Sequence, residues 1–208
     1  MKTKRILEVT GICAAAAVAA ASLVFASGAS SAKRVTLAKL DIGHGSPVPA
    51  AQLSAADRAM LNRIGANDNS VELLGIRGTV AFYRMTGTDG SLCLGLGEAT
   101  AASNAAVAAI GSAGCLSGPA LATPIIDMSK VAVDPGTGHV IRFDGLQGIA
   151  ADGVASVQLV MTNGATATAK VASNLYLLEP AAMPGGTPAT LIALDASGNT
   201  LETIPLGN

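Results

Sequence analysis

Gly148-Ile149-Ala150-Ala151-Asp152-Gly153-Val154-Ala155-Ser156-Val157-Gln158-Leu159-Val160-Met161-Thr162-Asn163-Gly164, followed by Ala165 to Val171, reads as a turn, a strand, a tight reversal and a returning strand. Val157, Leu159 and Met161 share one face of the first strand, and Ala165, Ala167, Ala169 and Val171 share one face of the second. A two-residue Asn163-Gly164 loop would set Met161 opposite Thr166, Leu159 opposite Thr168 and Val157 opposite Lys170, mixing polar with apolar side chains. A three-residue loop, Thr162-Asn163-Gly164, instead sets Met161 opposite Ala165 and Leu159 opposite Ala167, so both apolar rows land on one face. The register therefore predicts a type I turn closed by Gly164 at positive φ, where glycine carries the least steric cost.

Working outward, short apolar runs separated by turn residues recur through the C-terminal part of the chain. Pro124 to Met128, Val131 to Val133, His139 to Phe143, Asn174 to Leu178, Ala189 to Leu194 and Thr200 to Leu206 all look extended. Between them lie Asp134-Pro135-Gly136-Thr137-Gly138, the Pro180 to Pro188 loop and Asp195-Ala196-Ser197-Gly198-Asn199. Upstream, Val71 to Ile76, Thr79 to Met85 and Ser91 to Leu96 have the same character. One helix is expected: Ser54 caps it with Asp57 three residues on, Leu53, Met60, Leu61 and Ile64 bury one side, and Gly65 ends it. Ala99 to Ile110 is open between a short helix and a loop held down by Cys115. No long amphipathic helices alternate with the strands. The expected fold is mainly β, an antiparallel β-sandwich, immunoglobulin-like or an open barrel, with a short N-terminal helix.

The chain has 208 residues, half of them hydrophobic, but only 2% aromatic and without Trp. Its core must be built from Leu, Ile, Val, Met and Ala. A formal net charge of −1 argues against nucleic acid as a partner, since phosphate binding needs clustered Lys or Arg and single-strand binding adds stacking rings. Lys2, Lys4 and Arg5 precede an uncharged run from Val9 to Ala32. A positive end followed by an apolar segment reads as an export signal, with cleavage after Ala26, Ala29 or Ala32, or as a retained membrane anchor. The expected organisation is a signal peptide or anchor at 1–32, a linker at 33–50 and one β-rich domain at 51–208, with 124–208 as a candidate sandwich core. The expected location is extracytoplasmic, secreted or held at the outer face of the cytoplasmic membrane, and membrane contact would come only through an uncleaved N-terminal segment.

Export decides how the cysteines read. With Cys13 inside the N-terminal segment, Cys93 and Cys115 form an even pair in an oxidising compartment, and a structural disulfide is expected. No Cys-x-x-Cys spacing points to redox or metal chemistry.

The search for a reaction centre yields weak candidates. His44 follows Asp41 by three residues among glycines, and His139 stands near Asp134. Asp41, His44, Asp134 and His139 are the candidate polar site residues, although a stable metal site needs three or four converging ligands. Gly95-Leu96-Gly97-Glu98 lacks the third glycine and the downstream acid of a dinucleotide loop. Asp89, Asp134, Asp152 and Asp195 sit in glycine turns, where Asp serves local hydrogen bonding. Neither a catalytic residue, a metal ligand nor a cofactor is assigned.

Three segments carry a resemblance: Gly148 to Val157, Val171-Ala172-Ser173-Asn174-Leu175-Tyr176, and Ala193-Leu194-Asp195-Ala196-Ser197-Gly198-Asn199. In these the chain resembles a group of uncharacterised exported proteins from actinobacteria. The resemblance implies an exported β domain and transfers no activity. The expected function is a non-catalytic binding or protein-interaction module of the cell envelope, with an unknown protein or envelope component as partner. The alternatives are an extracytoplasmic hydrolase with a fold-assembled His/carboxylate site and a membrane-tethered sensor or assembly subunit.

Overall fold

The structure, a computed structural model, describes residues 45–99, 109–116, 123–137 and 140–206, together with the backbone of the two-residue strand Glu8–Val9. The expected export segment, and the stretch 100–108 left open between helix and loop, lie outside the described residues, that short strand apart.

In chain order the strands are β1 (Glu8–Val9), β2 (Ser46–Pro47), β3 (Glu72–Arg77), β4 (Val80–Thr86), β5 (Leu92–Glu98), β6 (Ile110–Leu116), β7 (Ile125–Asp127), β8 (Val131–Val133), β9 (Val140–Phe143), β10 (Leu146–Ala150), β11 (Ser156–Met161), β12 (Thr166–Ala172), β13 (Leu175–Leu178), β14 (Pro188–Leu194) and β15 (Thr200–Pro205). They form a five-stranded sheet, β2-β3-β4-β5-β6, a seven-stranded sheet, β15-β14-β11-β12-β13-β10-β7, and a small sheet, β1-β8-β9. The described pairings are all antiparallel. The fold is mainly β, with one short α-helix among the described residues, as the sequence pattern predicts.

The β11–β12 hairpin takes the predicted register. Leu159 pairs with Ala167 and Val157 with Ala169, and all four are buried. Across the loop, the Met161 amide donates to the Ala165 carbonyl at 2.8 Å and the Gly164 amide donates to the Met161 carbonyl at 2.9 Å. Gly164 has φ 81°. A Cβ there would meet nothing within 4 Å, so Gly164→Ala isolates the backbone cost. It is expected to destabilise the fold by roughly 1 kcal/mol, read as a small drop in the urea midpoint at unchanged slope.

The helix α1 (Ala55–Ile64) also follows its sequence signals. Ser54 and Asp57 form a reciprocal capping box, and Gly65 closes the last turn in left-handed geometry at φ 72°. Asp57 does more than cap. Its Oδ1 accepts the Ile110 amide at 2.9 Å, which ties the helix to β6.

Three layers result. One face of the five-stranded sheet packs under α1, with Leu53 and Leu61 against Tyr83, Met85 and Cys93. Its other face, through Phe82, Leu94 and Leu96, packs on Ile126, Met128, Ile149 and Leu175 of the second sheet and its margin. Leu92-Cys93-Leu94-Gly95-Leu96 reads as a nearly unbroken apolar run because both faces of β5 are covered. The seven-stranded sheet has a core of its own, where Val157, Leu159, Leu191 and Tyr176 meet Val131 and Phe143 from the β8–β9 hairpin.

Two stretches differ from the sequence reading. Leu146–Ala150 is a strand paired on both sides, with β13 and with β7, although Gly148 to Ala150 read as the start of a turn. Burial on both faces removes the alternation that marks a half-exposed strand, and glycine masks the rest. The five-stranded sheet also takes in part of the stretch expected as a linker: Ser46–Pro47 pairs with β3 and Val48 is buried.

Candidate functional site

The chemically distinctive group in the described fold is a buried polar cluster on the last three strands of the seven-stranded sheet. Tyr176 on β13 pairs with Gly148 on β10, and Gly148 pairs with Asp127 on β7. Directly opposed residues share a face, so the three stand in one row across three strands. The middle position has no side chain, and the tyrosine runs over it to reach β7. Its hydroxyl donates to the Ile126 carbonyl at 3.1 Å and lies 3.4 Å from Asp127 Oδ1. A Cβ on Gly148 would lie 2.6 Å from Tyr176 Cζ, and closer still to the Tyr176 hydroxyl and the Ile126 carbonyl oxygen. Glycine is required at 148 by space, not by backbone angle.

Ser129 completes the cluster. Its hydroxyl donates to Asp127 Oδ1 at 2.5 Å and its amide approaches the same oxygen at 3.3 Å. The Ser129 hydroxyl oxygen accepts the Gln147 amide at 2.9 Å, and the Met128 amide donates to the Gln147 carbonyl at 2.9 Å. Residues 127–129 are thereby stitched to β10. Tyr176 is fully buried, and Asp127 is 9% exposed.

Burial dominates the electrostatics. Desolvation pushes the Asp127 carboxyl up to about 6, against the opposing pull of the Ser129 hydroxyl, the Ser129 amide and the Tyr176 hydroxyl. Burial, and then the negative charge of Asp127, hold the Tyr176 phenol well above its ordinary range. Tyr176 is therefore a neutral donor at any pH the fold meets, and the cluster can take up or release one proton, at Asp127.

This has a stability consequence. Asp127 has a folded-state pKa above that of an unfolded aspartate, so the folded chain holds the proton more tightly. Its contribution is fully present below about pH 4 and is lost as pH rises through about 6. Asp89 and Asp195 run the other way. Both are held low, first by the side chains of Ser91 and Asn199 respectively, so their contributions are present above about pH 4 and fade as pH falls below it. Between about pH 4 and pH 7, urea unfolding of the wild type is expected to give a falling stability, and Asp127→Asn is expected to flatten that slope.

Of the four residues singled out from sequence, Asp134 alone falls among the described residues. Asp134 Oδ1 accepts the Gly136 amide at 2.8 Å and the Thr137 amide at 3.1 Å, folding its own turn. Asp41, His44 and His139 lie outside the described residues. Asp152 accepts from the Asn174 side chain at 2.9 Å, and Asp195 accepts the Ser197 and Asn199 amides at 2.8 Å, so these too shape local structure. Gly95 and Gly97, the weak dinucleotide-loop match, lie inside β5 rather than on a loop. Among the described residues no group of three or more His, Cys, Asp or Glu side chains is placed to hold a metal ion. Among them, too, no helix is long and apolar enough to cross a membrane. The expected disulfide is present: Cys93 and Cys115 are directly opposed on β5 and β6, with Cα atoms 3.9 Å apart.

The Asp127 cluster leaves little trace in the sequence. The available signal was a charged residue inside the apolar run Pro124-Ile125-Ile126-Asp127-Met128, together with one of only two tyrosines in the chain. Nothing in the sequence pairs them, because they meet across β10. No family model, curated protein or solved structure matches the chain.

Proposed function

We propose that the chain is an exported cell-envelope domain that works as a non-catalytic binding or protein-interaction module, as the exported actinobacterial β domains it resembles would suggest. The observation that carries the binding role is the open face of β12-β11-β14-β15. The ladder registers align three rows across it, from Lys170 through Ser156 and Leu194 to Thr200, from Thr168 through Gln158 and Ile192 to Thr203, and from Thr166 through Val160 and Thr190 to Pro205. Lys170 is the single charge in these rows. Hydroxyls flank a half-buried apolar centre, whereas an ordinary solvated face carries interspersed charges of both signs. The disulfide supports the compartment, since such bridges persist where the surroundings are oxidising. The turn carboxylates Asp134 and Asp195, engaged with their own loops, support a scaffold role for those residues.

Co-sedimentation of the oxidised protein with isolated cell-envelope material tests the role. Saturable retention is expected, weakened at least tenfold (about 1.4 kcal/mol) by Ile192→Lys, with the thermal midpoint of that variant kept close to wild type. Absence of saturable retention, or equal retention of the variant, would overturn the proposal.

A further inference from the structure

Asp127 occupies an unusual mechanical position. β7 is the outermost strand of its sheet and is three residues long. Ile125 enters the core of the seven-stranded sheet, whereas Ile126, with Met128 just beyond, enters the core between the two large sheets. This short strand therefore stands, with β10 and β13, between the two cores. It is held by a three-residue ladder to β10, by those apolar side chains and by the Asp127 cluster.

The cluster holds a largely buried carboxyl. Among the described residues, the Ser129 hydroxyl, the Ser129 amide and the Tyr176 hydroxyl all address Oδ1. These donors favour the ionised form, but they reach one oxygen alone and bring no positive charge, so burial outweighs them and favours the neutral acid. The upward shift of the carboxyl points the same way. Of the groups facing it, Tyr176 on β13 is titratable but stays neutral, and Ser129, with Gln147 and Gly148 on β10, carries no charge. Among the described residues no positive charge faces the carboxylate.

We infer that Asp127 is a proton-operated latch on β7: protonated, it seats the strand where the two sheets meet, and ionised, it loosens that junction. Mild acidification of the surroundings tightens the seam, and neutral or alkaline surroundings relax it. The inference is independent of the binding role proposed above.

Hydrogen exchange read by mass spectrometry on the full chain, at about pH 5 and about pH 7.5 and corrected for intrinsic exchange rates, tests the latch. Protection over residues 125–128 and 146–150 is expected to be about tenfold or more higher at the lower pH, while the β11–β12 hairpin changes far less. Asp127→Asn is expected to abolish the pH dependence at β7. Tyr176→Phe removes a donor to the ionised form, so it is expected to move the midpoint to higher pH while keeping the ring in place. Protection at β7 that does not change with pH, or an undiminished pH response in Asp127→Asn, would overturn the latch. Should Asp127→Asn fail to fold, an unmoved midpoint in Tyr176→Phe would overturn it.

Discussion

Replacing Gly148 by alanine is expected to be among the most damaging single-methyl additions to this fold, costing about 3 kcal/mol or more, at or above the usual range for overpacking. The new Cβ would land on the Tyr176 ring at Cζ and, closer still, on the Tyr176 hydroxyl and the Ile126 carbonyl. No flexible side-chain end is available to give way, because the ring is fully buried and the carbonyl belongs to the neighbouring strand. The tyrosine must leave its row or β7 must leave β10. Either movement strands Asp127 without one of its donors and opens the join between the two cores. The check is a pair of urea unfolding curves, with Gly164→Ala as the control for a glycine whose requirement is conformational. A Gly148→Ala midpoint no lower than that of the Gly164 variant would mean that the row across β13, β10 and β7 is wrong.

Removing the bridge, by Cys93→Ala with Cys115→Ala, is expected to cost about 3 kcal/mol in the chain-entropy model for a loop of this length. The sequence separation is 22 residues. Cys93 is fully buried under α1 and Cys115 is exposed on the edge strand β6, so the bond fastens the edge of the five-stranded sheet to its interior. Without it, β6 keeps its ladder to β5 and the Asp57–Ile110 hydrogen bond. The loss is therefore expected to concentrate at this edge, with a thermal midpoint lower by roughly 10 °C for a domain of this size and faster exchange across Ile110–Leu116. A midpoint unchanged by reduction or by the double replacement would show that the bridge contributes nothing to the fold.

Local chemistry was legible in the sequence wherever a few adjacent residues determine the outcome. The apolar alternation of Val157, Leu159 and Met161 against Ala167 and Ala169 chose the hairpin register, because a one-residue slip would have buried threonines. Ser54, Asp57 and Gly65 marked both ends of α1. An even cysteine pair found its partner across one ladder.

Legibility failed where burial removes pattern. Leu146–Ala150, covered on both sides and interrupted by Gly148, looked like a turn, and Ile110-Gly111-Ser112-Ala113-Gly114-Cys115-Leu116 hid an edge strand behind small residues of low strand propensity. The Asp127–Ser129–Tyr176 cluster was out of reach for another reason. Tyr176 lies almost fifty residues from Asp127 and meets it only through the strand order β13-β10-β7, which no local spacing encodes.

The most direct test of the central claim, an exported and disulfide-closed β module, is the intact mass of the protein recovered from an exporting host, with thiol alkylation before and after reduction. The expected mass begins after Ala26, Ala29 or Ala32, with alkylation of Cys93 and Cys115 only after reduction. A protein retained in the cytoplasm with its N-terminus intact and both thiols free would contradict it.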